Sequence, residues 1–316
     1  MSHFNVKKCL TVLLLIISLL TLITTGCVYP SAYPGNTPTS QPELTATPSV
    51  GPTIVPTGLP GDSLIVHFID VGQGDSMLVQ YAGKNMLIDA GTWEAGKTVS
   101  DYLKAHGVST IDVLVSTHPH SDHIGGMPTV LKDFPVKVVY DSGVPHTTQT
   151  YEEYLTLIDQ KNIKYKVPEK GDFIDLAPGV SVQVLSIGGN YEDLNEQSIV
   201  LRIVHGDVSF LFMGDAGFEA ESTLLQSGYP LKSDVLKVGH HGSKTSSGTS
   251  FLKAVEPKYA VIEVGVDNPY GHPTKAALDR LAVAGATVYR TDYDGDVLMT
   301  SDGHGVTVAA ARRAPA

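Results

Sequence analysis

Eight consecutive residues constrain this chain more than any other feature. Ser116-Thr117-His118-Pro119-His120-Ser121-Asp122-His123 follows directly on Ile111-Asp112-Val113-Leu114-Val115, an apolar, β-branched run that reads as a buried strand. Three imidazoles and a carboxylate thus fall within six residues, on a loop that can turn alternate side chains inward. Neutral imidazole and carboxylate suit Zn²⁺ or Mn²⁺. The two cysteines, Cys9 and Cys27, stand near the start of the chain, so a metal in the globular part has only His, Asp or Glu to bind it and no soft ligand that would favour copper or an iron–sulfur cluster.

The chain divides unevenly. Lys7 and Lys8 precede an apolar run from Cys9 to Ile23, the arrangement of an export signal. The run ends in Thr24-Thr25-Gly26-Cys27, which resembles a bacterial lipobox except that Thr24 stands where Leu is usual. A lipidated Cys27 or a retained N-terminal helix would each tether the protein to a membrane, and a secreted form is the alternative. Residues 28–61 are rich in Pro, Thr, Ser and Gly without apolar periodicity, and so read as a disordered stalk with extended polyproline stretches. Residues 62–316 are expected to form one globular domain. With 42% hydrophobic and 17% charged residues overall, the chain can bury a substantial core there. A formal charge of −11 excludes the broad cationic surface that non-specific nucleic-acid binding uses. Positive charge for an anionic substrate would have to be local, as bound ions supply it.

From Ser63 the pattern becomes short strands: Leu64 to Ile69, Met77 to Tyr81 and Met86 to Ile88, with Gly-containing turns between them, an antiparallel meander. A helix over Lys97 to His106 leads to the strand before the octet, and another begins near His123. The second half repeats this grammar. Strands at Val182–Ile187, Ser198–Val204, Ser209–Met213, Val235–Val238 and Tyr259–Ile262 alternate with helices near Glu219–Gln226, Phe251–Val255 and Thr274–Ala284, before final strands to about Ala310. Two halves of this kind predict an α/β protein with two sheets face to face and helices outside. Asp292-Tyr293-Asp294-Gly295-Asp296 imitates the start of a calcium loop, but Val297 stands where Gly is required. It reads as a turn between terminal strands.

The octet is similar to the signature of the metallo-β-lactamase superfamily. Its surroundings resemble one branch, the extracytoplasmic hydrolase domain of the ComEC/Rec2 competence proteins and their stand-alone relatives. The resemblance runs from Val66 to about Met299 and includes Phe68 to Ser76, Leu87 to Gly91, His118 to Gly126, Phe212 to Asp215, Leu236 to Lys244 and Tyr270 to Pro273. It implies an αββα four-layer sandwich, two packed mixed sheets with helices outside, holding one or two Zn²⁺ or Mn²⁺ ions.

Carried over residue by residue, it implies that His118 and His120 hold a first metal, Asp122 and His123 belong to a second, and Asp215 bridges both. His240 is the preferred further ligand and His272 its competitor, while His241 faces substrate or supports another ligand. Where many members carry a third His for the first metal, this chain reads Asp193-Leu194-Asn195-Glu196-Gln197-Ser198, so Asn195 or Ser198 would hold a water. His205, beyond a strand, reads as structural. Asp70, Gln73, Asp75 and Asp89 either orient ligating imidazoles or shape tight Gly-rich turns. The loop Gly239 to Ser247 precedes a helix and offers Lys244 and exposed amides to phosphate, although helix capping by Ser246 or Ser247 accounts for part of it.

A metal pair lowers the pKa of water and offsets charge on a phosphodiester. The resemblance therefore implies a metal-dependent phosphodiesterase or nuclease working outside the cytoplasmic membrane, on DNA or a small diester such as a nucleotide or choline-phosphate group, with Asp122, His241 and Lys244 closest to the chemistry. An amide or lactone hydrolase of β-lactamase type and a non-catalytic surface-binding lipoprotein are the competing expectations.

Overall fold

Alternating burial along short strands sets the architecture. In β1 (Leu64–Phe68), Leu64, Val66 and Phe68 face one way into an apolar core shared with Met77 and Val79 of β2 (Met77–Tyr81) and Met86 and Ile88 of β3 (Lys84–Ile88), as the two-residue period of a strand requires. Leu78, Leu87 and Leu114 face the other way, onto α1 (Gly96–Ala105), α3 (Met127–Asp133) and α4 (Gln149–Gln160). Between these helices lie β4 (Val113–Ser116), the one-turn α2 (Ser121–Ile124) and β5 (Val138–Asp141), followed by β6 (Lys164–Lys166). The computed structural model describes residues 63–189 and 191–312. The leader, the lipobox-like segment and the stalk lie outside the described residues. Among those described, no helix is long and apolar enough to cross a membrane.

The second half builds its own sheet from β7 (Phe173–Ile174), β8 (Val180–Ser186), β9 (Val200–His205) and β10 (Val208–Phe212), then β11 (Val235–Lys237), β12 (Tyr259–Ile262) and β13 (Thr287–Arg290). Phe210, Phe212 and Val261 point to the inter-sheet core, where Phe212 stacks on Phe68 with ring centroids 6.2 Å apart. Leu211, Leu236 and Ile262 point outward to α5 (Phe218–Gln226), α6 (Thr249–Val255) and α7 (Lys275–Val283). The result is helix, sheet, sheet, helix: the four-layer sandwich with two mixed sheets.

One connection departs from the two-halves expectation. After the single turn α8 (Thr291–Asp294), strands β14 (Val297–Ser301) and β15 (Val306–Ala310) return to the first sheet, whose order is β15-β14-β1-β2-β3-β4-β5-β6, while the second runs β13-β12-β11-β10-β9-β8-β7. β14 pairs antiparallel with β1, Phe68 opposite Val297, and so covers an edge that the meander would leave unpaired. The calcium-loop imitation sits in this crossover with its carboxylates already engaged. Asp292 binds Arg290, Asp294 accepts from the Arg290 amide, and Asp296 accepts from the amide of Asp70.

In each sheet an antiparallel half meets a parallel half, at β3-β4 in the first and at β10-β11 in the second. Loops leaving the carboxyl ends of parallel strands are where α/β sheets present ligand-binding groups. Here the ends of β3, β4, β10, β11 and β12 carry the polar residues described below.

A buried histidine elsewhere sets an acid limit on stability. His67 of β1 is fully buried, with Nδ1 3.0 Å from Tyr102 Oη and Nε2 3.1 Å from Gln80 Oε1, an arrangement that fits a neutral ring donating from Nε2. Burial, reinforced by His106, pushes its pKa from 6.5 down to about 3 against the raising effect of the Gln80 bond. The unfolded chain therefore takes up a proton below pH 6.5 that the folded chain refuses until about 3, and stability falls over that window by up to ~1.4 kcal/mol per pH unit. We expect His67→Gln to flatten the pH dependence of urea unfolding between pH 6.5 and 4.5 relative to wild type. Parallel curves for the two proteins would refute this account.

Candidate metal centre

The octet is fixed from behind by one carboxylate. Asp89, at the end of β3, accepts from the Thr117 amide at 2.9 Å and from Thr117 Oγ1 at 2.6 Å, and its Oδ2 lies 2.8 Å from His123 Nδ1. A carboxylate on one ring nitrogen fixes the tautomer and aims the other, so His123 Nε2 faces Asp215 Oδ2 at 3.3 Å. Asp215 follows Gly214 at the end of β10, its amide donating to Ser198 Oγ at 3.1 Å. From β11 comes the turn Gly239–Gly242, in which His240 and His241 both adopt left-handed backbone, φ 48° and 51°. Consecutive non-glycine residues in that region are costly, and such conformations gather at functional sites. His241 Nδ1 donates to the Glu263 carbonyl at 2.8 Å, which leaves Nε2 3.3 Å from Asp122 Oδ2 and 3.6 Å from Asp215 Oδ1.

Asp122, His123, Asp215 and His241 thus offer ligand atoms that all lie within 4.8 Å of one another. His123 Nε2, His241 Nε2 and Asp215 Oδ1 are buried and have no hydrogen-bond partner. Buried polar atoms are almost always paired, and three converging orphans of this kind fit a divalent cation. Two imidazoles and two carboxylates are a donor set for Zn²⁺ or Mn²⁺. Beside them, His118 Nε2 lies 3.8 Å from Asp215 Oδ2 and 3.0 Å from His120 Nδ1, which Asn195 Oδ1 approaches to 2.9 Å. This second set of nitrogens could complete an adjoining site that shares Asp215.

A model of the metallo-beta-lactamase superfamily matches residues 69–265, more than half of the chain. The chain belongs to the metallo-β-lactamase superfamily. Within it, the chain is 38% identical over 242 residues to "Competence protein ComA" of Neisseria gonorrhoeae, covering 76% of this chain and 33% of that protein. It is 32% identical over 252 residues to "ComE operon protein 3" of Bacillus subtilis, covering 73% and 32%. The chain therefore spans about a third of the length of these relatives. Among solved structures, the metallo-beta-lactamase fold protein YhfI of Bacillus subtilis superposes with a TM-score of 0.50 at 14% identity, covering 78% of this chain and all of that one, a likeness of fold.

Several residues of this superfamily member stand elsewhere than its sequence predicts. His240 and His241 exchange places: His241 joins the buried group, whereas His240 is partly exposed with Nε2 4.0 Å from Asp215. The left-handed turn sets the two rings at 73° to one another, their centroids 6.2 Å apart, with the His241 ring inward and the His240 ring at the cleft. His272 lines the cleft against the His240 ring, 5.6 Å between centroids, and contributes no atom to the group. Asp75 lies against both His241 and His123, at 3.3 and 3.8 Å. Asp70 stands apart from the imidazoles, bonded to the Gly72 amide and to Arg312. Gln73 holds the Gly265 amide at 3.2 Å. Ser198 sits 3.3 Å from His118 Nδ1 and donates to the Asn195 carbonyl. In place of a third histidine, Ser198 backs His118 at Nδ1, while Asn195 Oδ1 faces the same His120 Nδ1 that lies against His118 Nε2. His205 is remote, 3.0 Å from Ser301 Oγ.

A neighbour engages part of the Gly239 to Ser247 loop expected to meet phosphate. Both carboxylate oxygens of Glu221 take the amides of Ser247 and Gly248 just before α6, and neither Ser246 nor Ser247 caps that helix with its side chain. Lys244 is exposed and does not line the cleft. The sequence reading missed Lys237 and Glu263. Lys237 is fully buried, bonded to Asp75 and to the Gly214 carbonyl, and Glu263 accepts from the Ser76 amide at 3.1 Å. A lysine inside Val235-Leu236-Lys237-Val238 was the available signal, because lysine is almost never fully buried without a partner.

Charges respond accordingly. Burial disfavours an imidazolium at His241, but Asp215, Asp75 and Asp122 outweigh it and bring the pKa to about 10. His123 is raised in the same way against burial by Asp215, Asp75, Asp89 and Asp122. His118, buried and beside His123, is driven down.

The loop that carries Asp75 approaches the octet closely. A Cβ on Gly74 (φ +141°) would lie 2.4 Å from the Asp122 carbonyl oxygen, whereas one on Gly72 (φ +73°) would meet nothing within 4 Å. We expect Gly72→Ala to cost only the backbone term, ~1–2 kcal/mol, and Gly74→Ala to cost more while also displacing Asp122. Urea unfolding of the two variants checks this, and equal losses would exclude the close approach as the constraint.

Proposed function

We propose that this chain is a metal-dependent phosphodiesterase acting outside the cytoplasmic membrane, on DNA or a smaller diester. The observation that carries the reading is the convergence of partnerless His123 Nε2, His241 Nε2 and Asp215 Oδ1 on one point beside Asp122, at the floor of an open cleft lined by His120, Asn195 and His240. Similarity to proteins named for competence favours a nucleic-acid diester over a β-lactam, and the charged and apolar segments of the leader favour export and a membrane tether.

Asp122, His123, Asp215 and His241 would hold one divalent ion, and His118 and His120, beside Asp215, would supply nitrogens to a second. An ion bound there lowers the pKa of water and offsets negative charge on the diester. The chain's own groups do the rest. Asp89 and the Glu263 carbonyl hold the two imidazoles in one tautomer. Asn195, at the mouth, keeps His120 in place. His240, partly exposed in the cleft and not committed to the buried group, is the proton donor to the departing oxygen. His272 beside it is held neutral, its pKa pushed down to about 4 by burial and by His240.

The test uses the purified full chain with Mn²⁺ or Zn²⁺ and bis-p-nitrophenyl phosphate, with nitrocefin in parallel. His241→Ala is expected to weaken ion binding by more than the ~10–100-fold typical of losing an outer hydrogen-bond partner. His240→Ala should retain the ion and lose ~10²–10⁴ in kcat. Full ion content and turnover in His241→Ala, or nitrocefin cleaved in preference to the diester, would defeat the proposal.

A further inference from the structure

One aromatic ring at the cleft is left unexplained by the chemistry above. Tyr270 is 65% exposed yet lines the same cleft as His240 and Asp215. Its ring lies nearly parallel to that of His272, 23° between planes and 5.9 Å between centroids, and His272 in turn stands edge-on to His240 at 5.6 Å. Three rings therefore step from the buried group out to solvent. The loop that carries Tyr270 and His272 is pinned. Asn268 Nδ2 donates to the carbonyls of Gly265 and His272, Asn268 Oδ1 accepts from the His272 amide, and the Gly265 amide donates to Gln73 Oε1. Tyr270 is thus presented, one face backed and the other free, on the rim of a polar cleft.

None of the described residues lining that cleft is Lys or Arg, and the chain carries a formal charge of −11. A groove that tracks a polyanionic backbone by counterion release needs cations along its length. The alternative source of affinity is stacking, which any nucleobase offers through its π-face. In a duplex both faces of an internal base are already stacked, and using one would require unstacking it.

We infer that Tyr270 is a specificity-determining residue that stacks an unpaired base next to the scissile linkage, so that the cleft selects single-stranded or short nucleotidyl diesters over duplex. This rests on the phosphodiesterase reading. The affinity comes from one platform and the ion site, not from a basic track.

The experiment compares a short single-stranded oligodeoxynucleotide, the same length built of abasic tetrahydrofuran units, and the annealed duplex, with the Mn²⁺-loaded full chain. Wild type should show a KM roughly tenfold lower for the base-bearing strand than for the abasic one, within the range expected of ~1–3 kcal/mol per stacked base. Tyr270→Ala should collapse that ratio towards one, and Tyr270→Trp should restore it. KM should rise with salt with a log–log slope of about one, as for one or two phosphates. An unchanged ratio in Tyr270→Ala with hydrolysis intact overturns the platform and leaves the phosphodiesterase standing, as does preferred cleavage of duplex. If no substrate is cleaved, the activity reading fails, and fluorescence anisotropy with labelled strands decides the platform alone. Base-dependent binding lost in Tyr270→Ala supports it, and base-independent binding overturns it.

Discussion

Carboxylates that must be buried together govern this structure. Asp75, Asp89, Asp215 and Glu263 are all essentially inaccessible at one end of the sandwich, and unpaired charge in such a place is strongly unfavourable. Among the described residues Lys237 is the one amine buried with them. It comes from β11 in the second sheet, and its partner Asp75 comes from the loop between β1 and β2 in the first. The Ser76 amide reaches Glu263 across the same gap. Over most of their area the sheets are joined by apolar packing, but at this end they are joined by ions and hydrogen bonds. Register between them is consequently coupled to the geometry of the centre, because Asp75 also touches His241 and His123.

The second half positions its contribution through a relay of helix ends. Glu196 takes the amides of Gly217 and Ala220 at the start of α5, and Glu221, on α5, takes those of Ser247 and Gly248 at the start of α6. Arg280 of α7 then closes the loop from the other side, donating to the carbonyls of Lys244, Ser246 and Ser247. Two successive left-handed histidines persist only where the surroundings over-determine them, and this clamp does so. The strained turn and the capped helices are one device, which delivers His241 to the interior and leaves His240 at the mouth.

How much of this was legible follows from how local each signal is. Strand alternation and the His-x-His-x-Asp-His octet are local, and two sheets with helices outside and the Asp122 and His123 part of the cluster could be read from them, whereas Asp215 came only from the resemblance to the family. The choice between His240 and His241 was not, because adjacent residues differ only through a backbone conformation that neither side chain betrays. The surroundings of Lys244 are hidden from the sequence for a related reason. A loop rich in hydroxyls before a helix is compatible with phosphate or with a cap, and the deciding group, Glu221, is 26 residues away from Ser247. The return of β14 to the edge of β1 is likewise a tertiary event, settled by an unpaired strand edge and not by anything in residues 297–301. Lys237 was legible in principle, since a lysine flanked by Leu236 and Val238 has nowhere to go but inward.

The same charge balance bears on how such a centre can exist before any ion reaches it. Asp215, Asp75 and Asp122 surround His241 closely enough that their attraction outweighs burial and raises its pKa to about 10, and His123 is raised by the same kind of neighbours. Imidazolium at these two positions, together with the Lys237 ammonium, supplies the positive charge that the carboxylates require. A divalent ion held there would take the Nε2 atoms that carry those protons, so ion and protons would be alternative occupants of one negative pocket. Electrostatic closure at this end is shared between one lysine and two imidazoles. Lys237 is the fixed part of that closure, and the two histidines are the exchangeable part.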